Sequence, residues 1–342
     1  MLGVSLIKVS IIVPCYKVEK YLPRCLDSLV CQTLEDIEVI CINDGSPDKC
    51  LEIMKAYESR YPRKIVVIDK QNEGVWRGRR DAIALARGEF IGFVDSDDYV
   101  APTMCEDLYL CAKSEDADIS VCGFYRVDAD TNKVLNEEMT DIRRNFSAKS
   151  EAKQLLQLNG APWNKLFKAG LLKSMYNFET APKIFDDLMM HLLVYPFVDG
   201  VAFVPKPLVY YGIRNNSIMT TISSDKIEST YDCMREVKQF YVNCGASDSL
   251  IEFLDLSAGL HLGVSLMFRI ANDPSADLSR VISDNRKYLD DVFPAWRSSS
   301  IPRDSKSMRK IALSRAVYKS GCLKQALSLY KFMIERGLDI KW

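Results

Sequence analysis

Four apolar runs, separated by helix-like segments, dominate the first hundred residues. The runs are KVSIIVP (8–14), IEVICIND (37–44), KIVVIDK (64–70) and EFIGFVDSDD (89–98). Their β-branched and apolar residues predict short, buried strands. The intervening segments 21–32, 50–60 and 75–87 predict helices, and the first has apolar residues at the spacing of an amphipathic helix. Strands that alternate with such helices predict a parallel, doubly wound α/β sheet with helices on both faces.

Polar or turn-forming residues occur at the end of each predicted strand. They are Pro14, Cys15, Tyr16 and Glu19 after the first, residues 43–46 after the second, 70–74 after the third and 95–98 after the fourth. Any one of these groups alone is explained by a helix cap or a turn. Because doubly wound sheets bind ligands at the carboxyl ends of their strands, the four groups together predict a binding site.

The chemistry of this edge excludes two common nucleotide sites. Neither GxGxxG nor GxxxxGK[ST] follows the first strand, so no glycine-rich phosphate loop is present there. An acidic edge needs a bridging cation to hold a diphosphate, and aspartate clusters suit Mg²⁺ or Mn²⁺. Asp95 and Asp97 are two residues apart on an extended segment, so both carboxylates can point the same way. A metal held there would neutralise a departing diphosphate as a Lewis acid.

Residues 9–48 closely resemble the opening of family 2 glycosyltransferases, which have the GT-A fold. The later segments NEGVWRGRR (72–80), FVDSDD (93–98), WNKLFK (163–168), FDDLMMH (185–191) and YYGIRNNSI (210–218) follow in the family's order. They resemble its N-x-G-x-x-x-A-R-N, DxD, W-N-K-L-[FY], ED and Y-x-x-R-x-x-S-I motifs. The resemblance covers about 210 residues. It implies a GT-A fold with a doubly wound mixed sheet, followed by a C-terminal helical region.

The resemblance implies a role for most residues at the strand ends. Those implied to line the nucleotide pocket are Pro14, Tyr16, Glu19, Asp44, Asn72, Arg79, Asp95 and Ser96. Among them Asp44 would recognise the uracil, and Asp95 and Ser96 would contact the ribose side. Asp97 would hold the metal through the diphosphate. The chain departs from the family at Gly78, where alanine is usual, and at Arg80, where asparagine is usual.

The resemblance also implies which group takes the acceptor's proton. A hydroxyl titrates far above pH 7, so a positioned carboxylate must accept its proton as it attacks. The family's ED pair falls on Asp186 and Asp187, with Asp187 as the base. Without the family, both are also explained by compensation of a helix dipole. One base without a second nucleophile implies a single displacement with inversion, most simply from a UDP-sugar.

Four further residues match family positions without a firm role. Trp163, Lys165, Asp186 and Arg214 are candidate contacts for the donor or the acceptor. Trp163 could stack on a sugar, but a position in the core explains it better. Lys165 and Arg214 would balance diphosphate or acceptor charge.

The strand pattern ends near residue 225, so we expect a catalytic domain over 1–225 and a helical region over 226–342. Helices are predicted over Lys226–Tyr241, Leu250–Ile270 and Ser307–Arg336. Residues 297–342 contain eleven Lys and Arg against three acids, which makes the tail basic. An apolar stripe is formed by Leu323, Ala326, Leu327, Tyr330 and Ile334. It is explained either by core packing or by contact with an anionic membrane surface.

Several features of the chain favour the cytoplasm. The sequence shows no signal-peptide pattern and no run that approaches 18 apolar residues. The eleven cysteines include no CxxC pair, which favours a reducing compartment with Cys15, Cys25, Cys31 and Cys41 as small buried residues. Attachment at the inner face of the plasma membrane is expected if the tail binds lipid.

The sequence therefore predicts an inverting, metal-dependent glycosyltransferase of the hexosyl or N-acetylhexosaminyl type. It would move a sugar from a UDP-sugar to a hydroxyl of a saccharide or lipid-linked saccharide in surface polysaccharide biosynthesis, with Mn²⁺ or Mg²⁺. The alternative is a non-catalytic nucleotide-sugar-binding or scaffold protein on the same fold. Nucleic acid is not an expected partner, because the tail lacks interleaved aromatic residues.

Overall fold

The structure, a computed structural model, describes residues 6–178, 180–213, 224–271 and 277–328. The described residues divide into two compact units. The first lies within Met1–Ser147 and Gly160–Asn215, and the second within Ala148–Asn159 and Asn216–Trp342. Residues 148–159 therefore pack with the C-terminal helices, although they precede residue 225 in the sequence.

The first unit is built on one mixed sheet. Its ten strands within the described residues are β1 (Val9–Cys15), β2 (Ile37–Asp44), β3 (Ile65–Lys70), β4 (Phe90–Phe93), β5 (Tyr99–Val100), β6 (Ile119–Asp128), β7 (Val134–Glu138), β8 (Phe146–Ser147), β9 (Lys165–Lys168) and β10 (Gly200–Ile213). The strand order is β3-β2-β1-β4-β9-β6-β10-β5, with β7 beside β6 and β8 beside β10. The first four strands in this order are parallel. The sheet becomes mixed at β9, which is antiparallel to β4 and to β6.

Within the described residues, five helices accompany the sheet, and the first three lie within the predicted segments 21–32, 50–60 and 75–87. They are α1 (Leu22–Val30), α2 (Cys50–Arg60), α3 (Val75–Leu85), α4 (Met104–Ser114) and α5 (Asp186–Val194), with 3-10 turns at Ala169–Asn177 and Tyr195–Phe197. Helix α1 buries Leu22, Cys25, Leu26 and Leu29 along one face. It has a proline in its first turn, where a missing N–H breaks no helical hydrogen bond.

Strands β1 and β2 form the centre of the core. Both are buried along almost their whole length, as expected for parallel strands between two helical layers. Glu38, near the start of β2, has a buried carboxylate. It accepts a hydrogen bond from Ser10 at 2.7 Å and another from Arg87 at 2.6 Å. This pairing neutralises the buried charge. It lies at the start of the strands, away from the polar residues at their ends.

The predicted burial of the cysteines holds for three of the four. Cys15, Cys25 and Cys41 are buried, whereas Cys31 is exposed, so its predicted burial is wrong. The reason is its position, since Cys31 follows the last residue of α1 and no longer lies on the buried face of that helix.

The second unit consists of helices. They are α6 (Ser224–Asn243), α7 (Asp248–Ala258), α8 (Leu266–Ile270), α9 (Leu278–Val292), α10 (Ala295–Ser298) and α11 (Lys306–Ser320), with a π-helical turn at Gly259–Ser265 and a 3-10 turn at Ala152–Gln157. The predicted helix over 307–336 is interrupted, because Gly321 adopts a left-handed φ of 91° and ends α11. Helix α9 was not predicted.

Two features of this unit bear on a membrane. Among the described residues, the helical segment Asp248–Ile270 is long and apolar enough to cross a membrane, a possibility that the sequence alone did not suggest. However, 72% of its most apolar window is buried, and a core helix passes the same test. The tail residues Leu323 and Leu327 are also buried. Tyr330 and Ile334 lie outside the described residues.

Candidate active site

The loops that follow β1 and β2 are tied together by hydrogen bonds. The backbone N–H of Lys17 donates to the hydroxyl of Ser46 at 2.8 Å. The N–H of Glu19 donates to Asp48 at 3.1 Å, and the Glu19 carboxylate accepts from the N–H of Lys49 at 2.9 Å. Burial alone would raise the pKa of Asp48, but hydrogen bonds, first that from Ser46, lower it to about 2. Asp48 therefore stays ionised and holds the two loops in register.

Pro14 and Tyr16 lie at the end of β1 and leave apolar surface open. Pro14 is half-buried, and the Tyr16 side chain is 42% exposed. The ammonium of Lys17 lies 5.0 Å from the centre of the Tyr16 ring. An exposed ring beside a proline is a suitable surface for a flat aromatic base. Glu19, in contrast, is engaged with the loop after β2.

Asp44 is buried at the end of β2 and fixes the loop after β3. Its two carboxylate oxygens accept from the N–H groups of Glu73 and Gly74, each at 2.9 Å. A carboxylate has about four lone-pair positions, so acceptor capacity remains for a ligand. Gly45 has a left-handed φ of 63°, and a side chain there would meet the backbone of the exposed Asn72 at 2.8 Å. The loops after β2 and β3 therefore pack too closely for any other residue.

The acidic loop after β4 is held from three sides. The Ser96 hydroxyl donates to the carbonyl of Pro14 at 2.7 Å, which joins this loop to the end of β1. Arg24 on α1 donates to the carbonyl of Asp97 at 3.1 Å. Asp98 accepts from the N–H of Gly212 at 2.8 Å, so it anchors β10.

One arginine gathers the remaining carboxylates. The Nη1 of Arg79, on α3, lies 2.6 Å from an Asp187 oxygen and 2.9 Å from an Asp186 oxygen. Its Nη2 lies 3.6 Å from Asp95. The structure thus brings together Asp95, Asp186 and Asp187, which are far apart in the sequence. The Arg79 side chain is only 3% exposed and contacts carboxylates, whereas the family resemblance implied a nucleotide contact.

The electrostatics of this cluster are unbalanced. Burial raises the pKa of Asp95, and repulsion from Asp187 raises it further, against the opposing effect of Arg79. The pKa of Asp186 is raised in the same way, mainly by burial and in addition by repulsion from Asp187. These directions mean that one guanidinium does not compensate the carboxylates around it. An additional cation would be stabilised here.

The excess of negative charge fits a divalent metal, although the protein alone does not complete a site. Within the described ranges, no three His, Cys, Asp or Glu side chains converge as a preformed metal site requires. Asp97 is half-buried and belongs to the same acidic loop as Asp95. Hard divalent cations accept carboxylate, phosphate and water oxygens together, so an ion held by Asp97 would take its remaining ligands from a diphosphate and water.

The residue before the ED-like pair has an unusual backbone. Phe185 precedes α5 with a left-handed φ of 60°, which is uncommon for a bulky residue and is often found at functional sites. Asp186 and Asp187 form the first turn of α5, where the helix dipole favours negative charge. The ring Nδ1 of His191, one turn further, lies 2.7 Å from the Asp187 carbonyl oxygen. The buried His191 therefore supports the helix.

Two predicted contact residues do not reach the surface of the site. Trp163 is buried and stacks on Tyr211, with ring centres 5.0 Å apart, so it has the core role that the sequence left open. Lys165 is 1% exposed, and its ammonium donates to the Ala161 carbonyl at 2.6 Å and to Asn164 Oδ1 at 2.8 Å. Neither residue presents a face to a ligand, because both lie within the packed core. Arg214 lies outside the described residues.

Sequence reasoning missed Arg24 and Phe185. Arg24 lies over the Tyr99 ring at 4.5 Å and also holds the backbone of Asp97, so it braces the acidic loop. The position of Arg24 within an amphipathic helix gives no signal for this contact. The left-handed backbone of Phe185 likewise has no signature in a residue type that rarely adopts it.

Comparison with known proteins identifies the family and the fold of the chain. Residues 10–175 match the family model described as glycosyl transferase family 2. The chain is a member of glycosyl transferase family 2. A putative glycosyltransferase of Bacillus subtilis, EpsH, is 30% identical over 226 residues, which are 65% of each chain. A glycosyltransferase of Streptococcus pneumoniae, GlyA, is 30% identical over 349 residues, which are 98% of this chain and 47% of GlyA.

The chain thus spans about half to two thirds of the length of these relatives. A solved structure of S. aureus TarS, residues 1–349 in complex with UDP-GlcNAc, matches with a TM-score of 0.68 at 20% identity and covers 92% of both chains. This family 2 chain therefore has the predicted GT-A fold, with a mixed sheet and a C-terminal helical region.

Proposed function

We propose that this chain is an inverting glycosyltransferase that moves a sugar from a UDP-sugar to a hydroxyl of a saccharide acceptor. The observation that carries the proposal is the convergence of Asp95, Asp186 and Asp187 on Arg79, in the same unit as the exposed ring of Tyr16. This arrangement provides an aromatic surface for a nucleobase and a carboxylate for proton transfer. A scaffold protein would not require the second of these.

The donor would lie along the carboxyl edge of the first four parallel strands. Pro14 and Tyr16 would pack on the uracil, and Asp44 would accept from a base N–H with its remaining lone pairs. The loops with Glu19, Asn72 and Ser96 would surround the nucleotide, and Asp95 would reach the ribose. The UDP-GlcNAc complex of TarS, which shares the fold, supports a UDP-sugar donor. A hexosyl or N-acetylhexosaminyl group is our proposal for the sugar.

Asp187 would accept the proton of the attacking hydroxyl. The oxygen would attack the anomeric carbon as the bond to the diphosphate breaks, so an α-linked donor would give a β-linked product. Asp186 would hold the acceptor or keep Asp187 in place. A Mn²⁺ or Mg²⁺ ion held by Asp97, when bound, would neutralise the charge of the leaving UDP.

The acceptor would be a saccharide or lipid-linked saccharide in surface polysaccharide biosynthesis. The names of the relatives are consistent with glycosyl transfer in bacteria. Such an acceptor favours a protein on the cytoplasmic side of the plasma membrane, with its basic tail, residues 297–342, near anionic lipid. The described part of the tail supplies exposed cations such as Lys324. Vesicle pelleting with and without this tail tests the proposal, and equal pelleting would contradict it.

The experiment that tests the function is a panel of UDP-sugars with MnCl₂, with released UDP as the readout. We expect one donor to be turned over in the presence of a mixture of short saccharide and lipid-linked acceptors, and we expect EDTA to abolish the release. The anomeric configuration of the product, read by NMR, should be opposite to that of the donor. Asp232→Asn, an exposed carboxylate of the second unit, is the control and should match the parent.

Two results would contradict the proposal. Failure of UDP to bind in the presence of MnCl₂ would remove the nucleotide site. A product with the donor's configuration would exclude a single displacement. Turnover that is unaffected by EDTA would contradict only the proposed dependence on a metal. The proposed transferase activity would remain.

A further inference from the structure

The guanidinium of Arg79 connects two parts of the site that are remote in the sequence. Its Nη2 faces Asp95 in the loop after β4, and its Nη1 contacts both Asp186 and Asp187 in the first turn of α5. A single side chain therefore contacts both Asp95, which is proposed to contact the donor, and Asp187, which is proposed to be the general base. Any shift of Arg79 would move both.

The surroundings of Arg79 keep it from reaching a ligand directly. The side chain is buried, with its guanidinium carbon 5.7 Å from the centre of the Phe93 ring. Gly78, the preceding residue, packs against β2, where a side chain would meet Ile42 at 3.3 Å. Among the described residues, the Nε of Arg79 has no hydrogen-bond partner. The two terminal nitrogens that do form contacts point toward carboxylates.

A buried charge of this kind needs an explanation beyond stability. Transfer of charged groups from water is unfavourable, and well-packed apolar residues often stabilise a protein equally well. The left-handed backbone of Phe185, next to the pair, is a second strained feature at the same point. The Arg79 contacts hold the Asp186 and Asp187 carboxylates in place, and Phe185 is the N-cap residue of α5. Such fixation is valuable where a reacting group must be held within a fraction of an ångström.

We propose that Arg79 is a positioning residue that orients Asp187 for proton transfer and couples it to Asp95, and that it does not bind the nucleotide. This inference rests on the proposed function, because it takes Asp187 as the base. The contacts of its two terminal nitrogens with three different carboxylates explain the residue type. A planar guanidinium contacts several carboxylates at fixed angles, whereas an ammonium supplies only the charge.

The test compares Arg79→Met and Arg79→Lys with the parent and with Arg77→Met in the full-length chain. Arg77 lies on the same helix but is exposed and pairs with Glu73, so it controls for loss of one positive charge. Titration calorimetry with UDP and MnCl₂ gives the affinity, and UDP release from the active donor gives kcat and KM. Circular dichroism confirms that each variant is folded.

For Arg79→Met we expect a fall in kcat of about 100-fold, as for other misplaced catalytic groups. The UDP affinity and the donor KM should stay within about threefold of the parent. The kcat of Arg79→Lys should be about tenfold higher than that of Arg79→Met. A merely structural role would lower kcat and affinity together. A loss of UDP affinity of tenfold or more with kcat retained would make Arg79 a nucleotide ligand and overturn the inference.

A crystal structure of Arg79→Lys, or of Arg79→Met if it folds, separates this inference from the proposed function. If the parent chain turns over no donor, the transferase proposal fails, but the position of the carboxylates is still measurable. Displacement of the Asp187 carboxylate by about 1 Å or more, with the loops of Tyr16 and Asp44 unchanged, supports the positioning role. An Asp187 carboxylate that stays in place without the guanidinium overturns it.

Discussion

The buried ammonium of Lys165 makes the stability of this protein depend on pH in a defined direction. Burial lowers the pKa of Lys165 from 10.5 to about 7, because the charged form loses its hydration. The carbonyl of Ala161 and the Oδ1 of Asn164 accept its N–H groups, and the negative charge of Asp187 opposes the fall in pKa without cancelling it. The perturbation that tests this is Lys165→Met, which keeps the length of the side chain and removes the titrating group.

The magnitude follows from proton linkage. Between pH 7 and pH 10.5 the unfolded chain holds the Lys165 proton more tightly than the folded chain does, so stability rises with pH in this window. Each unit of pKa difference corresponds to about 1.4 kcal/mol. Integrated over the window, Lys165 adds about 4 kcal/mol to the free energy of unfolding. The variant lacks this increase.

The two unpaired acceptors left by Lys165→Met cost about 1–3 kcal/mol each at any pH. Parent and variant should therefore be close in stability near pH 7, and the parent should become more stable by about 4 kcal/mol near pH 10.5. Urea unfolding of both proteins at four pH values measures this difference, in which other titrating groups cancel.

Lys206→Met is the matched control. Lys206 is exposed and pairs with Asp107 at the surface, so its removal should change stability by less than about 1 kcal/mol at each pH. A difference between parent and Lys165→Met that stays constant from pH 7 to pH 10.5 would refute the reasoning. It would mean that Lys165 is charged and solvated in the folded chain.

Three further predictions concern the loops and the helical unit. Asp97→Ala should remove the rise in Tm that MnCl₂ and UDP together give the parent, and an undiminished rise in thermal unfolding scans would exclude Asp97 as a metal ligand. Gly45→Ala should weaken UDP binding about tenfold or more in calorimetry, because a methyl group at this left-handed position meets the backbone of Asn72 at 2.8 Å; unchanged affinity would show that this loop lies outside the nucleotide site. Gly321→Ala should lower the free energy of unfolding of the chain by about 1 kcal/mol, because it places a side chain in a left-handed helix cap. Urea unfolding measures this change, and an unchanged free energy of unfolding would contradict the role of Gly321 as a cap.

The central strands could be predicted closely from the sequence because they are buried on both faces. Residues 37–44 form β2 with the predicted bounds, and residues 50–60 form α2 as predicted. Continuous β-branched runs have few alternatives to a buried strand. The fourth strand was predicted too long, since β4 ends at Phe93 and residues 95–98 form the acidic loop. Its acidic residues mark the place where the sheet meets the site.

The contacts within the site were less predictable, because they depend on side-chain directions between remote segments. The motifs identified Arg79, Asp95 and Asp187 individually, but no pattern in the sequence says that one guanidinium joins them. The burial of Lys165 was likewise missed, since a lysine in a motif suggests a charged contact. A match to a motif indicates that a residue belongs to the site without indicating which side chain it contacts.

In the proposed reaction, Asp187 takes the proton of the acceptor while the edge of the sheet holds UDP. Asp187→Asn tests it most directly, with kcat from UDP release and the UDP dissociation constant from calorimetry on the same preparation. We predict a fall in kcat of about 100-fold or more and an unchanged dissociation constant, because the amide keeps the shape of the carboxylate but cannot accept the proton. Turnover equal to that of the parent would contradict the claim.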